Sequence, residues 1–406
     1  MNDLMVFYLR PAVMDEVHRL RDVVHAAVKL SYDYRRLVVI LPPIRSLFEM
    51  TADKVLNFTG NLNFKTNRLL SQAQEKTAQA LFQFLADKHK LTAEIVCEKV
   101  VMDVAQIGYS DASSILEFLK KQDPFASCSQ DVQVFMVPQF RHFNFIEHVN
   151  DYQQIGGELS ALVWAAYLQA PLHIFDSRGG IPRIISYHKT SNEVIPYLNY
   201  QELTEINTCQ NIFSVKGLDF AMQHQITVTL AHILNPAEGT VIHFKEDKTM
   251  PPKDITNINT DNNQVQIIWE KLPLDQQVLA KIFSEFARNK INIDMISYFP
   301  VHQHLFNCSF TIPLESQDRV EELISQMKGE YSESEVTFIE EVTKINLIGL
   351  GMTNTPGVAA NVFTVLEEAG IPLRMVTTSE IKISLLIHSQ FEERSVNLLR
   401  RHFNLL

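Results

Sequence analysis

Ile345-Asn-Leu-Ile-Gly-Leu-Gly-Met-Thr-Asn-Thr-Pro-Gly-Val-Ala-Ala-Asn-Val-Phe, followed by Ile371-Pro-Leu-Arg-Met-Val, is the second of two near copies of one pattern. The first copy has Ile267-Ile268, then Val278-Leu-Ala-Lys-Ile-Phe, then Ile291-Asn-Ile-Asp-Met-Ile. Val278, Ile282, Phe283 and Phe286 each fall eighty residues before Val358, Val362, Phe363 and Leu366. Ile291, Ile293 and Met295 stand in the same relation to Ile371, Leu373 and Met375. Apolar residues at helical spacing between short apolar runs describe a strand–helix–strand unit, and a unit written twice in tandem commonly builds a shared site.

Each copy continues with another strand and helix. In the second, the elements are expected near 344–351, 357–369, 372–378, 381–387 and 391–403, the order of a ferredoxin-like βαββαβ unit. One such unit leaves a sheet edge and a face uncovered, and two can bury them against each other or against another subunit.

The whole chain, at 406 residues, exceeds one ordinary core, so two or three domains are expected. Upstream of the repeat, Arg36-Leu-Val-Val-Ile-Leu is a short continuous apolar run, which suits a strand covered on both faces of a parallel sheet. Helical spacing is found over 15–30, 69–85, 158–169, 200–207 and 216–223. Further strands are expected near 93–101, 132–137, 171–175 and 225–230. This alternation predicts an α/β layered domain over 1–245. Residues 246–263, rich in Lys, Asp, Asn, Thr and Pro, read as a linker. The two repeat domains then occupy 264–340 and 341–406.

A formal net charge of −11 argues against a nucleic-acid binder, which needs a basic face. Cys97, Cys128, Cys209 and Cys308 are far apart with no CxxC spacing, so they read as reduced thiols without a metal. No run of 18 apolar residues and no secretory pattern is present, so a cytoplasmic protein without a membrane span is expected.

Gly349-Leu-Gly-Met-Thr-Asn-Thr-Pro-Gly-Val-Ala-Ala, with Glu367-Glu-Ala-Gly-Ile and Thr378-Ser-Glu-Ile-Lys-Ile-Ser, closely resembles the second ACT regulatory domain of the aspartokinase family. Leu234-Asn-Pro-Ala-Glu-Gly-Thr-Val-Ile, Ile255-Thr-Asn-Ile-Asn-Thr-Asp, Pro182-Arg183 and Leu198-Asn-Tyr-Gln-Glu-Leu resemble other segments of that family. The resemblance runs through the chain in order, is specific from about 230 onward, and fades toward the N-terminus. It implies a three-layer α/β/α amino-acid-kinase-like domain, then two ferredoxin-like ACT domains, assembled as a homodimer through the ACT pairs.

Family members resemble one another most in a first strand ending Lys-Phe-Gly-Gly-Thr/Ser-Ser. Phosphoryl transfer needs positive charge on the γ-phosphate and backbone N–H groups that approach it closely, which lysine and glycine supply. Here the corresponding Met5-Val-Phe-Tyr-Leu-Arg-Pro has neither, and read as a loop it cannot cradle a phosphate. The family's glycine-rich loop is reduced to Gly156-Gly157-Glu158, and its nucleotide segment to Phe175-Asp176-Ser177-Arg178-Gly179. Near Gln210–Val215 a lysine and a histidine are missing. Glu75 survives where the family uses an acid at the aspartate site.

These positions carry open alternatives. Gly156 and Gly157, ahead of an apolar helix, are a phosphate site at a helix N-terminus or a leftover turn, and Arg183 is a nucleotide-site candidate beside them. Glu75, Glu158 and Asp176 are vestigial catalytic acids or helix-end and turn residues. His302-x-His304 is a metal pair or, preferably, a solvated hairpin turn, and His142 and His148 carry no more. Phe135, Phe140, Phe143 and Phe145 read as packing. Pro356-Gly357, just inside a helix start, leaves N–H groups bare. The resemblance makes that corner an amino-acid effector site of Met352, Thr355, Pro356, Gly357, Val358, Ser379 and Glu380, completed by Asn292 and Asp294 of a neighbouring unit. The first copy has Gln276-Gln277 where the family has Pro-Gly.

The preferred reading is an aspartokinase-like protein with impaired phosphotransfer, acting as an amino-acid-binding regulatory or assembly protein. Its effector belongs to the lysine, threonine or methionine class, and an active aspartokinase is a candidate partner. No cofactor is expected. The alternative is an active aspartate kinase, turning ATP and L-aspartate into 4-phospho-L-aspartate with Mg2+, in which Arg10, Arg141 or Arg183 replaces the missing cations. A different activity on the same scaffold has no residue constellation in its favour.

Overall fold

The computed structural model describes residues 2–59, 64–96, 112–140, 149–186, 190–244, 253–302, 304–327 and 329–405. They form two compact units. The first comprises Met1–Ile181, Val194–Asn207 and Asn211–Glu246, and the second Pro182–Glu193, Thr208–Gln210 and Asp247–Leu406.

The chain opens with β1 (Asn2–Leu9), α1 (Arg19–Leu30), β2 (Tyr34–Ile40), α2 (Arg45–Thr59), α3 (Phe64–Lys88) and β3 (Ala93–Ile95). Next are α4 (Ala112–Lys120), β4 (Val134–Met136), α5 (Val149–Leu168) and β5 (Leu172–Phe175). After β6 (Ile184–Ile185), which lies in the second unit, come β7 (Tyr197–Asn199), α6 (Tyr200–Gln210), α7 (Val215–Gln223), β8 (Val228–His232) and β9 (Asn235–His243). Among the described residues the first unit has an eight-stranded sheet in the order β3-β4-β2-β1-β5-β8-β9-β7, parallel except between β8 and β9.

Met5 through Leu9 are fully buried, so this stretch is a central strand and not a loop. Met5, Phe7 and Leu9 join a core cluster with Val23 and Ala27 of α1 and Phe82 of α3. Tyr8 points to the other face and packs on Gly157 of α5, where an added Cβ would come within 2.8 Å of the ring. Helices therefore cover both faces, giving the expected three layers. From β1 the chain moves to β2 on one side, while β5 flanks β1 on the other. The carboxyl ends of β1 and β5 thus diverge at a topological switch point, the usual place for a ligand crevice in such sheets. The aromatic expectation is met at Phe140, stacked on Trp164 at 5.3 Å, and at Phe135, edge-on to Phe125. Phe143, Phe145, Arg141, His142 and His148 lie outside the described residues, as does 97–101 of the expected third strand.

The second unit runs β10 (Asn257–Pro273), α8 (Gln276–Arg288), β11 (Asp294–His302), β12 (Leu305–Pro313), α9 (Gln317–Met327) and β13 (Glu335–Ile348). Then follow α10 (Val358–Glu368), β14 (Met375–Thr378), β15 (Lys382–His388) and α11 (Glu392–His402). Its sheet order is β11-β12-β10-β13-β15-β14, with β6 beside β10. In the antiparallel β10–β13 pair, Ile258 faces Leu347 and Ile267 faces Phe338. Adding eighty to one pair's β10 member gives the other pair's β13 member, so the two copies are related by a local two-fold. Each long strand closes one ferredoxin-like sheet with its first half and opens the other with its second half.

This corrects the expected linker over 246–263. From Asn257 onward it is strand, and Thr256 already donates its N–H to the Ile348 carbonyl at 2.7 Å. The polar composition misled because Asn257 and Asn259 are buried and bonded to each other and to Asn346. Asn346 donates to Asn259 at 2.9 Å, Asn259 to Asn257 at 3.0 Å, and Ser384 to Asn346 at 2.7 Å. Buried polar side chains are tolerated when paired in this way. Residues 245–252 lie outside the described residues.

Candidate functional site

Arg10 follows β1 directly and Asp176 follows β5, so the switch point brings them together. Arg10 Nη1 donates to Asp176 Oδ2 at 2.7 Å, and Nη2 approaches Glu158 Oε2 at 3.5 Å. Nη2 also donates to the Ile212 carbonyl, and the guanidinium lies over the Phe213 ring, 5.6 Å from its centre. Glu158 comes from α5. Its other oxygen accepts the Ser214 N–H and hydroxyl, both at 3.0 Å. Ser214 caps α7 by accepting the Gly217 N–H at 3.0 Å, and an added Cβ at Gly217 would press on the Ser214 hydroxyl at 2.8 Å. The helix end that would suit an external anion is therefore already held by the protein's own Glu158 and Ser214. Together these groups line a cleft of about 570 Å³ with Pro11, Ser177, Arg178 and Val215.

The two acids differ. Burial pushes the Glu158 carboxyl up, against the opposing pull of Arg10 and Ser214. Asp176 also pays for burial, but Arg10 and Arg178 outweigh it and hold its carboxyl below the usual range. The sign follows by linkage. Stability from Glu158 is full below its unfolded pKa and is lost as pH rises through its raised folded pKa. Stability from Asp176 is present above its unfolded pKa and is lost as pH falls through its depressed folded pKa. Glu158→Gln, which keeps an acceptor for Ser214, is expected to stay within about 1 kcal/mol of wild type and to gain on it as pH rises. Asp176→Asn is expected to cost about 1.5–3 kcal/mol at neutral pH, a difference that shrinks on acidification. Urea denaturation at several pH values checks both, and equal effects of the two changes would refute the assignment.

The other predicted site residues fall differently. Gly156 and Gly157 lie inside α5, which begins at Val149 and not near 158, so they are not a helix N-terminus. The Gly156 carbonyl accepts the Ser160 hydroxyl at 2.6 Å. Glu75 is buried on α3 and accepts the Gln139 N–H at 3.0 Å, fixing the segment after β4. It does not line the cleft. Arg183 belongs to the second unit, where its N–H donates to the Glu193 carbonyl at 2.9 Å and its own carbonyl accepts from Ile258 at 3.0 Å. Among the described residues Arg10 and Arg178 are the cations lining this cleft, and both meet Asp176. Ser214 and the Ile212 carbonyl were not anticipated; the Ser-x-x-Gly spacing of a cap is the one local signal for them.

In the second unit, α10 starts at Val358 with Gly357 as its cap at φ 95°, a left-handed value that glycine tolerates best. Pro356 thus precedes the cap and is not inside the first turn. The Gly357 cap has no side-chain hydrogen bond, whereas in the first copy Asp275 caps α8 and accepts the Gln277 N–H at 3.0 Å. Only the second copy leaves this end open. Asp294 pairs with Lys344, which holds its carboxyl low against the cost of burial. Asn292 and Glu380 are exposed, Met352 packs on the second copy's core, and Ser379 donates its N–H to the Lys382 carbonyl at 2.8 Å in the β14–β15 turn. Thr355 lies exposed in the turn before α10. His302 ends β11 and His304 lies in the turn before β12, matching the hairpin reading. Among the described residues no cluster of three or more His, Cys, Asp or Glu could hold a metal, and no helix is long and apolar enough to cross a membrane.

Residues 345–403 match a family model described as an ACT domain. The Mycolicibacterium smegmatis aspartokinase is 27% identical over 259 residues, 62% of this chain and 61% of that protein. The chain is similar to aspartokinases. It spans about 61% of the length of the first curated relatives it matches. The crystal structure of Clostridium acetobutylicum aspartate kinase superposes with TM-score 0.72 at 15% identity, covering 99% of this chain and 100% of that one. The E. coli aspartokinase III structure in complex with lysine and aspartate gives TM-score 0.64 at 16% identity, with 98% and 99% coverage. The chain therefore combines an amino-acid-kinase fold and ACT domains with an internally paired switch-point cleft.

Proposed function

We propose that this aspartokinase-family protein has impaired phosphotransfer and acts as an amino-acid-binding regulatory or assembly protein through its ACT domains. The observation that carries this reading is the cleft itself. Among the described residues its two guanidiniums both meet Asp176, Arg10 meets Glu158 as well, and the adjoining helix end is held by Glu158. A nucleotide phosphate would have to displace both carboxylates. Lost charge-stabilising groups each cost ~10²–10³ in rate, so two such losses leave turnover several orders of magnitude down.

The open α10 end at Gly357, with the exposed Asn292, Ser379 region and Glu380, forms the amino-acid site, and the effector's ammonium exchanges with Lys344 at Asp294. The E. coli enzyme solved with lysine and aspartate supports an effector of the lysine, threonine or methionine class. The edge strand β11 exposes Ile296, Tyr298, Phe299 and Val301, which suits pairing with a second copy as a homodimer. An active family member is the proposed hetero-partner, and the cytoplasm the proposed location.

Calorimetric titration of the purified protein with ATP–Mg2+, then with lysine, threonine and methionine, tests this reading. The expected result is amino-acid heat without nucleotide heat. The second reading, an active aspartate kinase, is favoured by the names of the relatives, and phosphorylation of aspartate in a coupled assay would establish it and remove the first.

A further inference from the structure

Three oxygens converge on one cation at the end of β1: Asp176 Oδ2 at 2.7 Å, Glu158 Oε2 at 3.5 Å and the Ile212 carbonyl. Two carboxylates and a backbone carbonyl facing a cleft are the donor set that hard divalent cations take, with water filling the remaining positions. The cation actually present is a guanidinium. It is anchored from the chain side by β1 and backed by the Phe213 ring, and its side chain is only 17% exposed.

The family's nucleotide chemistry implies Mg2+, and the residues here do not fit it. A second positive charge cannot enter among these oxygens while Arg10 holds them, since like charges at contact distance repel strongly in a partly buried site. Among the described residues lining the cleft there is no further carboxylate to compensate. Arg178 adds another positive group, bonded to Asp176 through its N–H at 2.8 Å and its Nε at 3.4 Å.

We infer that the Arg10 guanidinium is a resident replacement for a divalent cation, and that Glu158, Asp176 and the Ile212 carbonyl form a latent hard-cation site which Arg10 keeps shut. This rests on the proposed loss of phosphotransfer and gives it a cause: metal-bound nucleotide is excluded at the cation position. It goes further in assigning the exclusion to one side chain, and it makes the site recoverable.

Mn2+ is the probe, because the paramagnetic signal of the free aqua ion disappears when it binds. Full-length wild type is expected to leave that signal unchanged up to millimolar Mn2+. Arg10→Ala and Arg10→Gln are expected to take up one Mn2+ per chain, at least about tenfold more tightly than wild type takes any, a difference of roughly 1.4 kcal/mol. Mg2+ should compete for the same site. Adding Asp176→Asn to Arg10→Ala should abolish uptake. If Arg10→Ala does not fold, Arg10→Gln, which keeps a hydrogen-bonding stem, carries the test.

A folded Arg10 variant that binds no Mn2+ overturns the inference. So does a wild-type protein that binds one Mn2+ and loses it in Asp176→Asn. These outcomes are separable from failure of the functional reading. Aspartate phosphorylation by wild type would remove impaired phosphotransfer. A catalytically silent wild type whose Arg10 variants gain no Mn2+ would remove the cation replacement alone.

Discussion

Arg10→Met is expected to destabilise the first unit by about 3–5 kcal/mol, the usual cost of removing one partner from a buried ion cluster. Methionine fills much of the space over Phe213 but leaves Asp176 and Glu158 facing each other without a counter-charge. Glu158 can escape by taking a proton, since burial already pushes its carboxyl up. Asp176 is held low largely by Arg10, so it bears most of the loss. For a unit of this size the loss corresponds to roughly 6–20 °C in midpoint. A double change, Arg10→Met with Asp176→Asn, should recover a large part of it, and a thermodynamic cycle measures the coupling. The chain has two tryptophans, so fluorescence of Trp164 in a Trp269→Phe background follows the first unit alone. A midpoint within about 1 kcal/mol of wild type would mean that Arg10 is not the counter-ion of the buried acids.

Trp269→Ala is expected to cost the second unit about 3–5 kcal/mol, the range for deleting a large buried aromatic. Trp269 is fully buried on β10, edge-on to Tyr331 at 6.0 Å. Its indole N–H donates to the Ser334 hydroxyl at 2.9 Å, tying the first strand of the first copy to the turn before β13. Alanine leaves a cavity in the cluster that also holds Ile282, Phe306 and Val320. Trp269→Phe keeps most of the volume and loses the hydrogen bond, for about 1 kcal/mol. Urea denaturation read by circular dichroism, with Trp164 fluorescence reporting the first unit, separates the effects. If the first unit's midpoint moves as far as the second's, the two do not unfold as independent cores.

Some of this architecture was legible in the local pattern. The eighty-residue repeat is visible because each copy must bury one apolar helix stripe and one strand face, and those demands repeat residue for residue. Val278, Ile282 and Phe286 are buried, as are Val358, Val362 and Leu366. The run at 36–41 declared a strand buried on both faces, since only a covered parallel strand tolerates unbroken apolar sequence. The helix beginning near Gly357 was legible too, but the pattern put Pro356-Gly357 inside its first turn, and only the backbone shows Gly357 as the left-handed cap.

Other features were decided by partners distant in sequence. Asn257 to Asp261 resembles a linker, and its membership in the second copy's sheet depends on register with Lys344 to Ile348. No local signal encodes that register, because buried asparagines are acceptable only once Asn346 and Ser384 are placed beside them. Likewise Arg10, Glu158, Asp176 and Ser214 are each unremarkable polar residues in their own segments. The sequence by itself determined the family, the repeat and the absence of lysine and glycine from the first strand. Only the tertiary structure decided what Arg10 does, because a parallel sheet gathers the ends of β1 and β5 at its switch point and charge pairing depends on that distance in space.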